Sequence, residues 1–318
     1  MRKLLLLWLI IGVTTAFLYA LGNDIIHTPH KVSESLIIQI KRGDSLAQIA
    51  KMLQENNLIE KDTYFILYAK IKKLYPRIKA GEYLVEDDIS LANLADLLAD
   101  GKIYLRKITF AEGLTAREIA EILYAEDMLD GDFEMPKEGN FLPETYTFSR
   151  GETRQKIVEH GQAAMKNVLQ QAWDERDADL PFKNKEELLV LASIIEKETG
   201  VASERPQVAS VFVNRLKKGM LLQTDPTVIY ALTKGQTDLN RSLTYRDLAV
   251  DNPYNTYKYA GLPPSPICNP GKASIFAAAH PDKTPYLYFV ASGNGGHNFA
   301  KSLQEHNINV KKWRALKK

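Results

Sequence analysis

The stretch from Leu189 to Tyr230, LVLASIIEKETGVASERPQVASVFVNRLKKGMLLQTDPTVIY, holds the residues with the clearest chemical potential in the chain. Glu196 and Glu198 stand at the end of a segment that is apolar from Leu188 to Ile195 except for Ser193. A charged group is costly to desolvate, so carboxylates in such a place are either paired or kept protonated. A carboxylic acid that holds its proton at neutral pH is what a general acid in glycosidic cleavage requires. Two positions along a helix is a rotation of about 200°, so the two carboxylates cannot face one cleft. Glu196 stacks near Ala192, Ser193, Thr199 and Gly200, mostly small residues that leave room for a substrate. Glu198 stacks near Leu191, Ile194 and Ile195, which suit a packed core. Helix geometry favours Glu196 as the acid and Glu198 as a buried structural carboxylate, without deciding the matter.

The blocks ASIIEKET (192–199), ASER (202–205), VFVNRL (211–216), LQTDPTVIY (222–230), YNTY (254–257), GLPP (261–264), NPG (269–271) and PYLYFV (285–290) follow in order over most of residues 139–300. In this the chain resembles the YceG-like family of membrane-bound endolytic murein transglycosylases. The resemblance also points to Glu196 as the catalytic residue. It implies a lytic reaction served by one carboxyl group and by no cofactor or metal. The acid protonates the leaving glycosidic oxygen, then as carboxylate takes the proton of the C6 hydroxyl of the same sugar. That hydroxyl closes on C1 to a 1,6-anhydro end. An intramolecular nucleophile has a high effective concentration, so no second carboxylate is needed to activate water.

Asp225 is the main candidate for a second carboxylate, or equally a cap for the helix that begins at Pro226. Sugar recognition needs amides, hydroxyls and an aromatic platform. Ser193, Asn214, Gln223, Thr224, Asp225, Tyr254, Asn255, Thr256 and Tyr257 supply these within the family-like blocks and are expected to bind substrate. Pro263, Pro264 and Pro270 are expected to stiffen a groove wall. Other chemistries lack their residues: there is no HExxH, Cys/His cluster or GxSxG, and GNGG (293–296) lacks P-loop spacing and suits a hairpin turn. Cys268 is the only cysteine, so no intrachain disulfide forms.

The elements that must position these residues read as an α+β protein. Leu4–Leu21 is uncharged and follows Arg2 and Lys3. A run of that length nearly crosses a hydrocarbon core of about 30 Å, and the basic pair should stay in the cytoplasm. A cleaved signal peptide is the competing reading; Leu18 ahead of Ala20 makes a poor cleavage site. Residues 1–22 are therefore expected to form a transmembrane anchor and 23–35 a linker, which spans only about 45 Å fully extended at ~3.5 Å per residue.

A repeat follows, IIQIKRGDSLAQIAKMLQENNLI (37–59) aligning with RKITFAEGLTAREIAEILYAEDML (106–129). Each copy reads as an alternating strand, a Gly turn, a Ser/Thr N-cap and an amphipathic helix. The first copy resembles a LysM module, which implies glycan binding; a spacer or docking role is the alternative. Residues 36–104 are read as this LysM-like domain and 105–318 as the catalytic domain. Within them, GEYLV (81–85) reads as a strand and SLANLADLLAD (90–100) as a helix ended by Gly101. Asn184–Gly200 reads as a helix with Gly200 as its stop, and Pro206–Lys218 as a second ended by Gly219. Residues 285–299 read as a hairpin.

A formal net charge of +2 and 25% charged residues suit a globular protein and argue against a dedicated nucleic-acid binder. The basic stretch Lys70–Lys79 and the C-terminal run from Lys311 to Lys318 read as solvated surface. The combined expectation is a single-pass inner-membrane enzyme with a periplasmic catalytic domain, cutting nascent peptidoglycan glycan strands. Its expected neighbours are the penicillin-binding-protein synthases. The rival is a membrane-tethered glycan-binding scaffold without catalysis, and a third reading is a true hydrolase.

Overall fold

The computed structural model of the chain describes residues 2–31, 34–86 and 88–316. It divides into two compact units, one running to Arg106 and including Thr147–Arg150, the other holding Lys107–Tyr146 and the chain from Gly151 onward.

The first unit contains α1 (Arg2–His27), β1 (Leu36–Ile40), α2 (Leu46–Glu55), α3 (Asp62–Ile71), β2 (Gly81–Val85) and α4 (Leu91–Asp100). Helix α1 continues past Gly22 to His27, so part of the expected linker is helical. Val32 and Ser33 fall within that linker reading but lie outside the described residues, as does the end of the C-terminal basic run, Lys317 and Lys318. The strands β1 and β2 pair antiparallel, Leu36 opposite Val85 and Ile40 opposite Gly81. Their inner faces and the apolar stripes of the helices close a core around Ile49, Leu53, Phe65, Tyr83 and Leu98. Gly101 adopts the left-handed conformation that stops α4 (φ 66°). Glu82 is buried in this unit and accepts from Arg106 at 2.8 Å and Arg150 at 3.4 Å. The Arg106 hydrogen bond, first of several causes, holds its carboxyl below the usual carboxylate range.

Strands β3 (Arg106–Thr109) and β5 (Thr145–Phe148) run across the division, and the second unit also holds α5 (Ala116–Ala125), β4 (Leu129–Asp130), β6 (Glu152–Thr153) and α6 (Arg154–Glu175). It continues with α7 (Lys185–Glu198), α8 (Arg205–Lys217), α9 (Asp225–Thr233), α10 (Tyr245–Leu248), α11 (Lys272–Ala279), β7 (Tyr288–Ala291), β8 (His297–Ala300) and α12 (Leu303–Leu316). The β4–β6 pair is parallel and β7–β8 antiparallel, with Tyr288 opposite Ala300. Every residue of α7 from Leu188 to Ile195 is buried, as expected of a helix that is apolar around its whole circumference. Helices α6, α8 and α11 pack against it.

The repeat is visible as local structure. In both copies the hydroxyl residue caps the helix and is capped in return: Ser45 with Gln48, and Thr115 with Glu118. Both preceding glycines, Gly43 (φ 94°) and Gly113 (φ 81°), take a conformation that side-chain-bearing residues disfavour. Asn184 caps α7 as expected. The stop of α7 differs: it ends on extended Thr199, and Gly200 is not in the left-handed region. Helix α8 does close on a left-handed Gly219 (φ 66°).

Candidate active site

The two glutamates at the end of α7 meet different surroundings. Glu196 has a side chain only 5% exposed, and its carboxylate accepts from Arg205 Nη2 at 3.3 Å and from the Gly271 amide at 2.8 Å. Arg205 also reaches Glu112 at 3.2 Å. A carboxylate tied to a guanidinium and a backbone amide is held in place.

Glu198 lines an open cavity of about 450 Å³ together with Arg215, Leu222, Gln223, Asp225 and Tyr257 on one part of its wall. The hairpin residues Tyr288, Phe289 and Val290 and the α12 residues Leu303 and His306 complete it. Glu196 is not among the lining residues. The hydroxyl of Thr224 donates to Glu198 Oε1. Burial, the largest influence, pushes the Glu198 carboxyl up; the Thr224 hydrogen bond and the charges of His297 and Arg215 oppose it, and Asp225 adds to it. Of the two glutamates, Glu198 is the one whose environment favours the protonated form beside a space that can hold a substrate.

The expectation had Glu196 as the acid and Glu198 as a core carboxylate; the structure puts Glu198, and not Glu196, on the cavity wall. The helix-stacking argument counted neighbours on α7 alone. Glu198 is the last residue of that helix, so residues from distant segments, Thr224 and Asp225 among them, decide its environment.

The other expected residues divide the same way. Gln223, Asp225 and Tyr257 line the cavity, and Thr224 touches Glu198 from below it. Gln223 has a left-handed backbone (φ 52°), sparsely populated for a residue with a side chain. Its amide donates to Thr256 O at 3.1 Å, and this bond helps to hold that conformation. Asp225 does not cap α9; Thr224 occupies the N-cap, and Asp225 Oδ1 accepts from the Tyr257 hydroxyl at 2.6 Å.

Ser193, Asn214, Tyr254, Asn255 and Thr256 do not line the cavity. Ser193, fully buried, donates to Val190 O and accepts from the Ile267 amide. Asn214 donates to Thr284 O and Tyr286 O, fastening α8 to the approach of β7. Asn255, also fully buried, ties its own loop to Leu248 O and Val250 O and accepts from Tyr257 N. Thr256 accepts from Thr224 N, and the Tyr254 hydroxyl meets Ser265 Oγ at 2.6 Å. These amides and hydroxyls have protein partners, and the bonds of Asn255 and Thr256 tie Tyr257 and Thr224 in place. Pro263 and Pro264 border a separate depression with Pro181 and Glu187. Arg215, Tyr288, Phe289, Leu303 and His306 were not anticipated. Tyr288 and Phe289 lie within PYLYFV, but that block signalled a strand without saying what the strand faces.

Residues 38–312 match the YceG-like family. The chain is 35% identical to the endolytic murein transglycosylase of Bacillus subtilis (strain 168) over 94% of its own length and 89% of that protein's. It is 28% identical to the endolytic murein transglycosylase of Streptococcus pneumoniae serotype 2 (strain D39) over 86% of its length and 57% of that longer protein's. A crystal structure of a YceG-like protein from Listeria monocytogenes aligns with a TM-score of 0.52 at 32% identity, covering 87% of this chain and 99% of that one. With most of its length inside the family's span and a half-buried, cavity-facing glutamate at the heart of the shared segment, the chain belongs to the YceG-like family.

Proposed function

We propose that this chain is an endolytic murein transglycosylase. It cleaves the β-1,4 bond between N-acetylmuramic acid and N-acetylglucosamine inside nascent peptidoglycan strands and leaves 1,6-anhydro ends. The observation that carries the reading is the Glu198 carboxyl, held toward its protonated form on the wall of an open cavity.

Glu198 gives its proton to the glycosidic oxygen as the C1–O bond breaks. Its carboxylate then takes the proton of the C6 hydroxyl, whose oxygen bonds to C1. The acid is regenerated and no water is consumed. Thr224 occupies Oε1 of Glu198, which leaves the second carboxyl oxygen to carry the proton. The Asp225–Tyr257 pair and Gln223 offer a carboxylate, a hydroxyl and an amide to the sugar hydroxyls in the cavity. The Glu196–Arg205–Glu112 cluster fixes the end of α7 from behind. Glu198 replaces Glu196 as the proposed acid because it lines the cavity and Glu196 does not.

Mass spectrometry of digested glycan strands tests this reading. Anhydro ends produced inside long strands are expected; reducing ends would make the enzyme a hydrolase, and uncut strands would favour the glycan-binding scaffold.

Leu4–His27 is long and apolar enough to cross a membrane. We place it as a single-pass inner-membrane anchor with the catalytic domain (105–318) in the periplasm, beside newly made strands and the penicillin-binding-protein synthases. A reporter fused after Lys318 should then be active only in the periplasm. The domain at 36–104 is proposed to be LysM-like, supported by its strand–helix–helix–strand order and antiparallel strand pair.

A further inference from the structure

Arg215 lies on the wall of the Glu198 cavity, and the acid chemistry gives it no part. The residue is only 8% exposed, and two of its three guanidinium nitrogens are tied down. Nε donates to Leu287 O at 2.6 Å, and Nη1 donates to Leu221 O at 3.1 Å, Leu222 O at 2.9 Å and Gln223 Oε1 at 3.5 Å. All four acceptors are neutral. Glu198 and Asp225 stand on the same wall, yet among the described residues neither is ion-paired with Arg215: Thr224 donates to Glu198 Oε1, and Tyr257 to Asp225 Oδ1. A cation this far out of water is ordinarily matched by an anion. Burial, the largest influence, lowers its pKa. Nη2 is the nitrogen left over, and among the described residues it has no hydrogen-bond partner. It is not sealed from solvent either; the sealed polar atoms without a partner are Arg205 Nε, Ser274 Oγ and His306 Nδ1. The guanidinium sits 5.1 Å from the Tyr288 ring centre and between Leu222 and Gln223, all of them lining the cavity, so the cavity is the space that Nη2 faces.

We propose that Arg215 Nη2 binds a carboxylate carried on the lactyl arm of N-acetylmuramic acid, so that the cavity selects an anionic glycan over a neutral one. This assignment rests on the reading of that cavity as the glycan site. The carboxylate is the free lactyl group or one on a peptide linked to it. A guanidinium N–H pairs with a carboxylate more strongly than with a neutral acceptor. The carbonyls that hold Nε and Nη1 fix the donor before the ligand arrives, which lowers the ordering cost of binding.

The test uses the full chain in detergent with Glu198→Gln, so that an alternating tetrasaccharide of N-acetylglucosamine and N-acetylmuramic acid binds without being cut. Three forms of this ligand are titrated: one with free lactyl carboxylates, one with those groups as neutral N-methylamides, and one with tripeptides linked there that end in a free carboxylate. At least one charged form should bind about tenfold or more tightly than the N-methylamide. Preference for the free lactyl form names that group as the ligand, and preference for the tripeptide form alone names the peptide. Arg215→Gln removes the cation, and in this variant, once thermal unfolding shows it folded, the three forms should bind alike. Equal binding of all three to the parent overturns the assignment, and this comparison needs no change at Arg215. A preference that survives in folded Arg215→Gln protein overturns it too. No binding of any form to the Glu198→Gln parent, or cutting of the ligand by it, would instead defeat the reading of the cavity, and this inference with it.

Discussion

The Thr224 hydroxyl donates a hydrogen bond to Glu198 Oε1, linking the N-cap of α9 to the last residue of α7. Because that bond favours the carboxylate, it moderates an acid that burial has pushed up. Thr224→Val keeps the shape and removes the donor, so the Glu198 pKa should climb further. Activity that needs the protonated acid is retained below this pKa and lost as pH rises through it. The alkaline limb of kcat should therefore move to higher pH. A limb that stays in place in folded Thr224→Val enzyme would remove Thr224 from the site.

The two glutamates should respond differently to the same substitution. Glu198→Gln should lower turnover by at least about 10²–10⁴-fold with the fold intact. Glu196→Gln should chiefly lower stability, by about 2 kcal/mol, because Arg205 then keeps only Glu112 as a charged partner. Denaturation midpoints beside turnover separate the two. A stable but inactive Glu196→Gln enzyme would restore Glu196 as the acid.

A second buried carboxyl makes stability depend on pH. Glu138 accepts from Ala116 N at 2.9 Å, Asn269 Nδ2 at 3.0 Å and the Tyr230 hydroxyl at 3.4 Å, and burial pushes it up to about 7. Its folded pKa lies above the ordinary 4.5, so its stabilisation is complete below about pH 4.5 and is lost as pH rises through 7. The loss is on the order of 3 kcal/mol at most. Glu138→Gln should show less decline between pH 5 and 8 and be the more stable protein at pH 8. Parallel stability curves for the two proteins would contradict this.

Gly161 lies inside α6, where alanine would ordinarily favour the helix by about 1 kcal/mol. A Cβ there would run into the buried Phe141 ring. Overpacking costs about 1–3 kcal/mol, so Gly161→Ala should be net destabilising in urea unfolding, and a raised midpoint would show that Phe141 can move aside.

Much of the fold is legible in local chemistry. Ser45, Thr115 and Asn184 announce helix starts because capping needs only their own side chains and the next few amides. Gly43 and Gly113 mark turns for the same local reason. The site is less legible because its decisive contacts are distant in sequence. The surroundings of Glu198 are set by Thr224, Asp225 and His297, none of them near it in sequence. Asn255 has the composition of a sugar ligand, yet its side-chain amide donates to two carbonyls of its own loop. Tyr288 and His306 reach the cavity through a hairpin and a helix whose patterns say nothing of what they face.

Glu198 is also the final residue of α7. The unpaired carbonyls at that terminus carry a partial negative charge, which opposes ionisation of a nearby carboxyl by about 0.3–1 kcal/mol in typical settings. Acid strength at this site is thus partly a property of where the helix stops. Substitutions that lengthen or fray the last turn would retune the enzyme's acid without altering a single residue of the cavity wall.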